Sequence, residues 1–237
     1  MKNINKNIKK QSDHKTINRQ MFNSIASTYD FLNHFLSLGT DVLWRKKTIK
    51  KLGIDSKHKI LDLATGTGDL AKEALKRKPL LVIGVDPAFE MLKRTKKKIK
   101  NNFYAIEAFG EAIPIKENFF DRAMISYGIR NVSNRPAVFK EIYRVMKKNG
   151  KFAILEFSES KSFIFRGIYN FYFKYILTKL GGLISRNKRA YEYLPESVLA
   201  FVTPEKLAKE CEEAGFNTEL ILPIFTGITT LIIVKKN

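Results

Sequence analysis

The apolar residues of this chain change their spacing several times, and each change marks an element. From Asn18 to Lys51 the pattern is helical: Phe22, Ile25, Ala26 and Tyr29 share one face, and Leu36, Val42, Leu43 and Trp44 continue the apolar content. Short apolar runs then alternate with amphipathic stretches. KILDLA, LLVIGVD, FYAIEA, FDRAMISYG and KFAILEFSE read as strands, and DLAKEALKRK, PAFEMLKRTKKKIK and RPAVFKEIYRVMKK read as helices. That alternation predicts an α/β fold: a parallel sheet with helices on both faces, doubly wound through right-handed crossovers. The end of the chain departs from it. TPEKLAKECEEAG reads as a helix capped by Thr203 with Pro204 at its first position. FNTELILPI and GITTLIIVKK follow with too few residues between them for a crossover, so they predict an antiparallel hairpin.

The 237 residues suit one domain. Residues 1–16 are polar and basic and read as a flexible N-terminus. Residues 17–237 read as the single domain, with an N-terminal helical cap over 17–52 and an insertion over 160–200. The insertion is crowded with Phe, Tyr, Ile and Leu, but Arg166, Lys174 and Lys179 interrupt it, which argues against a membrane span. It fits a helix packed on the core, an aromatic lid over a greasy substrate, or a surface resting on lipid.

Charge and cysteine content narrow the chemistry. The net charge of +20 would suit nucleic acid or an anionic membrane. Only 11 of the 43 basic residues are arginine, the residue whose fork reads bases and phosphates, so nucleic acid is not expected as a partner. Cys211 is the single cysteine, and His14, His34 and His58 are scattered, so neither a disulfide nor a metal site is expected. The opening MKNINKNIKKQ lacks the apolar core of a signal peptide, and a cytoplasmic location is the expectation, with peripheral contact at the inner membrane face.

The candidate chemistry begins at KILDLATGTGDLA, where Gly66, Gly68 and Ala71 fit G-x-G-x-x-A. Glycines there let the backbone turn tightly and approach a ligand, and the helix that follows offers free N–H groups. The loop alone fits a dinucleotide or another adenosine-bearing cofactor. Asp62, four residues before Gly66, would oppose a pyrophosphate but would partner the α-amino group of S-adenosylmethionine. Asp86, at the end of the second strand, is placed to accept two ribose hydroxyls, and with Pro87 behind it also reads as a helix cap. Where methyltransferases carry an acid for the adenine amino group, this chain has Phe109 and Gly110, with Glu111 one step later.

FNSIASTYDFLNHFLSLGTDVLWRKKTI, ISYGIRNVSNRPAVFKEIYRVMKKNGKFAILEFS and SRNKRAYEYLPESV closely resemble the C-methyltransferases of menaquinone and ubiquinone biosynthesis. The likeness runs from about Phe22 to the C-terminus, and the G-I-R-N-V and Y-x-Y-L-P-E-S stretches carry it more specifically than the glycine loop. The resemblance implies a Rossmann-like methyltransferase sheet and S-adenosylmethionine as cofactor. It implies methyl transfer to a ring carbon of a prenylated quinol, demethylmenaquinol first, with a ubiquinone precursor as the alternative. A catalytically weak scaffold of a quinone-pathway complex, and a methyltransferase acting on another small molecule or on RNA, are the rival readings. On the family pattern Thr67, Asp86, Phe109, Gly110 and Ser126 fall at cofactor-binding positions. Arg130 is expected to stabilise a phenolate, Asn131 to hydrogen-bond a ring oxygen and Tyr127 to wall the ring. Tyr29, Asn33, Trp44 and Arg45 are expected to cap the pocket, and Tyr191, Tyr193 and Glu196 to belong to the lid.

Overall fold

In each inner strand, consecutive residues serve opposite faces of one sheet, which is why the runs are almost uniformly apolar. The computed structural model describes residues 2–30, 34, 37, 39–158 and 196–237. Its strands are β1 (Lys59–Leu63), β2 (Leu81–Asp86), β3 (Phe103–Glu107), β4 (Phe120–Ser126), β5 (Met146–Phe157), β6 (Phe216–Ile224) and β7 (Thr229–Lys236). They form a seven-stranded sheet in the order β3-β2-β1-β4-β5-β7-β6. The first five are parallel; β7 is antiparallel to both β5 and β6 and lies between them. The expected α/β sheet with its antiparallel hairpin is therefore present.

Leu61, Leu63, Ile83, Val85, Phe152 and Ile154 pack on one face against α5 (Arg135–Val145) and α6 (Pro204–Glu213). Ile60, Val82, Ala153 and Leu155 pack on the other against α2 (Asp41–Leu52) and α3 (Asp69–Leu75). Thr203 caps α6 through the Lys206 N–H at 3.3 Å, as its sequence indicates. Between β2 and β3 runs α4 (Phe89–Lys98), which buries Met91, Leu92 and Thr95.

The N-terminal helix α1 spans Lys2–Ile25. It begins well before the boundary at residue 17, in the stretch expected to be flexible. No glycine or proline interrupts residues 2–25, and contacts made farther along hold the helix against the sheet edge. Most of the 160–200 insertion, Tyr191 and Tyr193 included, lies outside the described residues, as does Asn33. No helix among the described residues is long and apolar enough to cross a membrane.

Candidate functional site

Two loops at the carboxyl edge of the sheet meet, and their backbones show how closely. Leaving β1, the chain turns through Ala64 at φ 49°, Gly66 at φ 55° and Gly68 at φ 83° before entering α3. Leaving β4, it turns at Tyr127, φ 57°, a conformation that costs a non-glycine residue energy and is over-represented at functional sites. A Cβ on Gly128 would stand 2.6 Å from the Ala64 Cβ, so the two loops touch there.

Two buried carboxylates hold the first loop. Asp62 Oδ2 accepts from Thr65 Oγ1 at 2.6 Å. Asp86 accepts from the Gly66 N–H at 2.9 Å on one oxygen and from the Ala88 N–H at 2.8 Å on the other. Asp86 thus ties the loop to β2 and starts α4 at once. From α4, Thr95 Oγ1 donates to the Gly66 carbonyl at 2.6 Å. Burial pushes Asp62 up to about 7, helped by the charge of Asp86, and pushes Asp86 up to about 6.

Helix α1 roofs these loops. Asn18 Nδ2 donates to the Asn131 carbonyl at 2.8 Å, and Asn23 Oδ1 accepts from the Glu90 N–H at 3.0 Å. Lys15 Nζ stands 5.3 Å over the Phe109 ring and 3.1 Å from Glu111 Oε1. Downstream of the helix, Asp30 accepts from Thr67 Oγ1 and pairs with Lys98 at 2.7 Å. Lys98 also pairs with Asp69 at 2.6 Å, and Asp69 reaches Arg45 at 3.5 Å. Charges thus link the cap, the glycine loop and two helices in one network.

Between α1 and the strand ends lies a cavity of about 810 Å³, counting its open mouth. Of the expected cofactor residues, Gly66, Asp86, Pro87, Phe109, Gly110 and Ser126 line it; of the expected substrate side, Tyr29, Tyr127 and Asn131 do. The others stand elsewhere. Asp62 and Gly68 shape the loop from beneath, and Thr67 faces Asp30. Trp44 is buried against Phe225, ring centroids 6.1 Å apart, and Arg45 is buried on Asp41 at 2.5 Å.

Arg130 is held from two sides. Its Nη1 lies 2.7 Å from Glu156 Oε1 and donates to the Tyr127 carbonyl at 2.6 Å. Both side chains of the pair are buried, at 7% and 4% exposure, and Arg130 is not among the residues lining the cavity. In this arrangement the guanidinium holds the strained Tyr127 turn. Burial drives the Tyr127 phenol well above its usual range, outweighing the nearby Thr229 hydroxyl, so it stays neutral.

Lys15, Asn18, Phe22 and Met91 also line the cavity and were not anticipated as site residues. Phe22 belonged to a face already visible in the helical spacing. Lys15 lay in the stretch expected to be flexible. Glu111 joins the wall as well, its buried Oε1 facing Lys15 Nζ. Buried carboxylates around an apolar, partly roofed space suit a ligand that is cationic and rich in hydroxyl and amino donors.

A family model described as the ubiE/COQ5 methyltransferase family matches residues 8–234. The ubiquinone/menaquinone biosynthesis C-methyltransferase UbiE of Citrifermentans bemidjiense is 40% identical over 225 residues, covering 92% of this chain and 95% of its own. The protein of the same name from Campylobacter jejuni is 40% identical over 227 residues, covering 92% and 96%. Among solved structures, a S-adenosylmethionine-dependent methyltransferase from Thermotoga maritima, described as a possible histamine N-methyltransferase, aligns with TM-score 0.64 and 20% identity. It covers 92% of this chain and 99% of its own, a likeness of fold.

Proposed function

Since the chain belongs to the ubiE/COQ5 methyltransferase family and uses S-adenosylmethionine, we propose that it methylates a ring carbon of demethylmenaquinol to give menaquinol. The observation that supports this most is the shared cavity: the β2 carboxylate that suits a ribose and the Tyr127–Asn131 turn that suits a quinol line one space.

The residues fit the cofactor. Asp86 keeps lone pairs for two ribose hydroxyls while its backbone contacts hold the loop still. Phe109 offers a face to the adenine, Gly110 lets the base edge near the backbone, and Glu111, held by Lys15, supplies the carboxylate that the family position at Phe109 lacks. Ser126 and Pro87 border the nucleoside. Asp62 gives negative potential beneath the amino-acid end, and Thr67 and Gly68 keep the loop in its turn. When bound, S-adenosylmethionine supplies a methyl group already activated on a sulfonium.

The protein's remaining work is alignment and exclusion of water, worth several kcal/mol when two reactants are held in register (~7–11 in well-oriented intramolecular cases). Tyr29 and Tyr127 wall the ring, and Asn131 donates to a ring oxygen. Tyr127 stays neutral and acts by shape. Arg130 acts as a positioning residue through the Tyr127 carbonyl. Trp44 and Arg45 brace the cap over 17–52. Only the reduced ring is nucleophilic at carbon, so the quinol is the acceptor. The enzyme works at the cytoplasmic face of the membrane that holds this lipid.

The test is competition between acceptors. Demethylmenaquinol and a ubiquinone-precursor benzoquinol, with equal short tails and both kept reduced, are offered together with methyl-labelled S-adenosylmethionine. Label in the naphthoquinol is the expected result. Label confined to the benzoquinol moves the assignment to the ubiquinone branch, and label in neither supports the scaffold reading.

The raised carboxyls also set a pH dependence. A folded pKa above the unfolded value means that the folded protein holds the proton more tightly. The two carboxyls therefore stabilise the free protein fully below about pH 4, and that contribution is lost as pH climbs through about 6 and about 7. A cationic ligand favours the ionised forms, so its affinity runs the other way. Titration calorimetry is expected to show S-adenosylmethionine affinity falling by about tenfold per pH unit or more below about pH 6. An affinity unchanged from about pH 5 to about pH 8 contradicts the ribose role of Asp86.

A further inference from the structure

The outer face of α2 stands apart from the rest of the basic surface. Leu43, Lys46, Lys47 and Lys50 fall at i, i+3, i+4 and i+7, and all four are exposed. Leu43 is 62% exposed although it is large and apolar, and Phe225, beside Trp44, is 55% exposed. The acid of this helix, Asp41, is turned inward onto Arg45, so the outer face carries positive charge alone.

The patch also has a definite place on the sheet. Phe157 at the end of β5 and Ile224 at the end of β6 both pair with Thr229. Phe225 therefore sits at the same carboxyl edge as the cavity. From Tyr127 in the cavity wall, the Phe157 ring is 4.5 Å away, and both pack on the apolar cluster that contains Trp44 and Ile224. Apolar side chains thus run from the cavity through Trp44 to the exposed Phe225, and Leu43 is the residue before Trp44 on α2.

We propose that this face, Leu43 and Phe225 with Lys46, Lys47 and Lys50, seats the protein on an anionic bilayer with the cavity edge toward the lipid. The inference rests on the reading that the acceptor is a membrane lipid. Leu43 and Phe225 enter the acyl boundary while the lysines meet anionic headgroups, which is how interfacial amphipathic surfaces hold. Nucleic acid would satisfy the lysines but leave Leu43 without a use. Helix α4 carries a comparable lysine row, but there Lys93 stands over the half-exposed Phe89 ring at 4.8 Å and pairs with Glu90 at 2.8 Å, so its charge and its apolar tip are both partly engaged within the protein.

The experiment is sedimentation of the full chain with phosphatidylglycerol-containing vesicles and with neutral phosphatidylcholine vesicles. The wild type is expected on the former. K46E/K47E/K50E is expected to lose about a hundredfold in partition, at about tenfold or less for the same reversal at Lys93, Lys96 and Lys97. L43S/F225S is expected to lose about tenfold with charge unchanged. Equal losses from the two lysine sets overturn the proposal, as does full binding by L43S/F225S or displacement of the vesicles by RNA at equal phosphate. S-adenosylmethionine affinity, unchanged in every variant, shows that each is folded. Methylation of a short-tailed, water-soluble quinol is read separately: its absence in the wild type refutes the quinol reading and leaves the vesicle result standing.

Discussion

Asp86→Ala is expected to weaken S-adenosylmethionine binding by roughly two to three orders of magnitude, about 3–4 kcal/mol. The substitution removes the acceptors of two hydroxyl hydrogen bonds to the ribose. It also strands the Gly66 and Ala88 N–H groups that the carboxylate now receives at 2.9 and 2.8 Å. Each unpaired buried donor costs about 1–3 kcal/mol, and both sit where the loop must keep its shape. Asp86→Asn separates the contributions. It keeps an acceptor but turns an N–H2 toward a backbone donor, so it should stay folded while still losing most of the affinity. Calorimetry reads both variants. A dissociation constant within about threefold of wild type for Asp86→Ala would remove the carboxylate from the nucleoside site.

Arg130→Ala is expected to lower folding stability by about 3–5 kcal/mol, because Glu156 would be left as a buried charge without its partner. Glu156 already accepts from the Phe157 N–H at 2.9 Å, but that bond does not neutralise it. The double variant Arg130→Ala/Glu156→Ala should recover a large part of the loss, since it removes the stranded charge as well. Urea unfolding of the single and double variants measures this directly. A role confined to chemistry would leave the unfolding midpoint of Arg130→Ala in place and abolish turnover alone. The structure instead couples the two, because the same guanidinium holds the Tyr127 carbonyl at 2.6 Å and with it one wall of the cavity.

The contrast between Asp86 and Arg130 shows where a single sequence informs and where it stops. Asp86 was legible because its surroundings are local: a strand end, a proline and a helix start within three residues. The sheet was legible for the same reason, through apolar runs of strand length and turns too short for a crossover. Arg130 sits in an equally visible motif, but its partner lies 26 residues on, at the end of an apolar strand whose pattern reads as core. Arg45 divides the same way. Asp41, four residues earlier, is a pair that helical geometry suggests, whereas Asp69 and the chain through Lys98 to Asp30 exist only once the fold brings them together. The position of β7 between β5 and β6 was hidden too, since a hairpin does not say which strand joins the sheet. Helix α1 divides at residue 17: the helical cap beyond it was legible and carries the contacts of Asn18 and Asn23, whereas the charge of residues 1–16 suggested a loose end and hid the contact of Lys15 with Glu111.

The central claim is that the cavity brings an activated methyl group to a ring carbon of a reduced, prenylated quinol. The most direct measurement is a single turnover with trideuteromethyl S-adenosylmethionine and short-tailed demethylmenaquinol, followed by mass spectrometry and NMR of the extracted lipid. The account predicts one deuterated methyl group on the quinol ring carbon, and none when the acceptor is left oxidised. A methyl group on a ring oxygen, or equal transfer to the oxidised quinone, would contradict it.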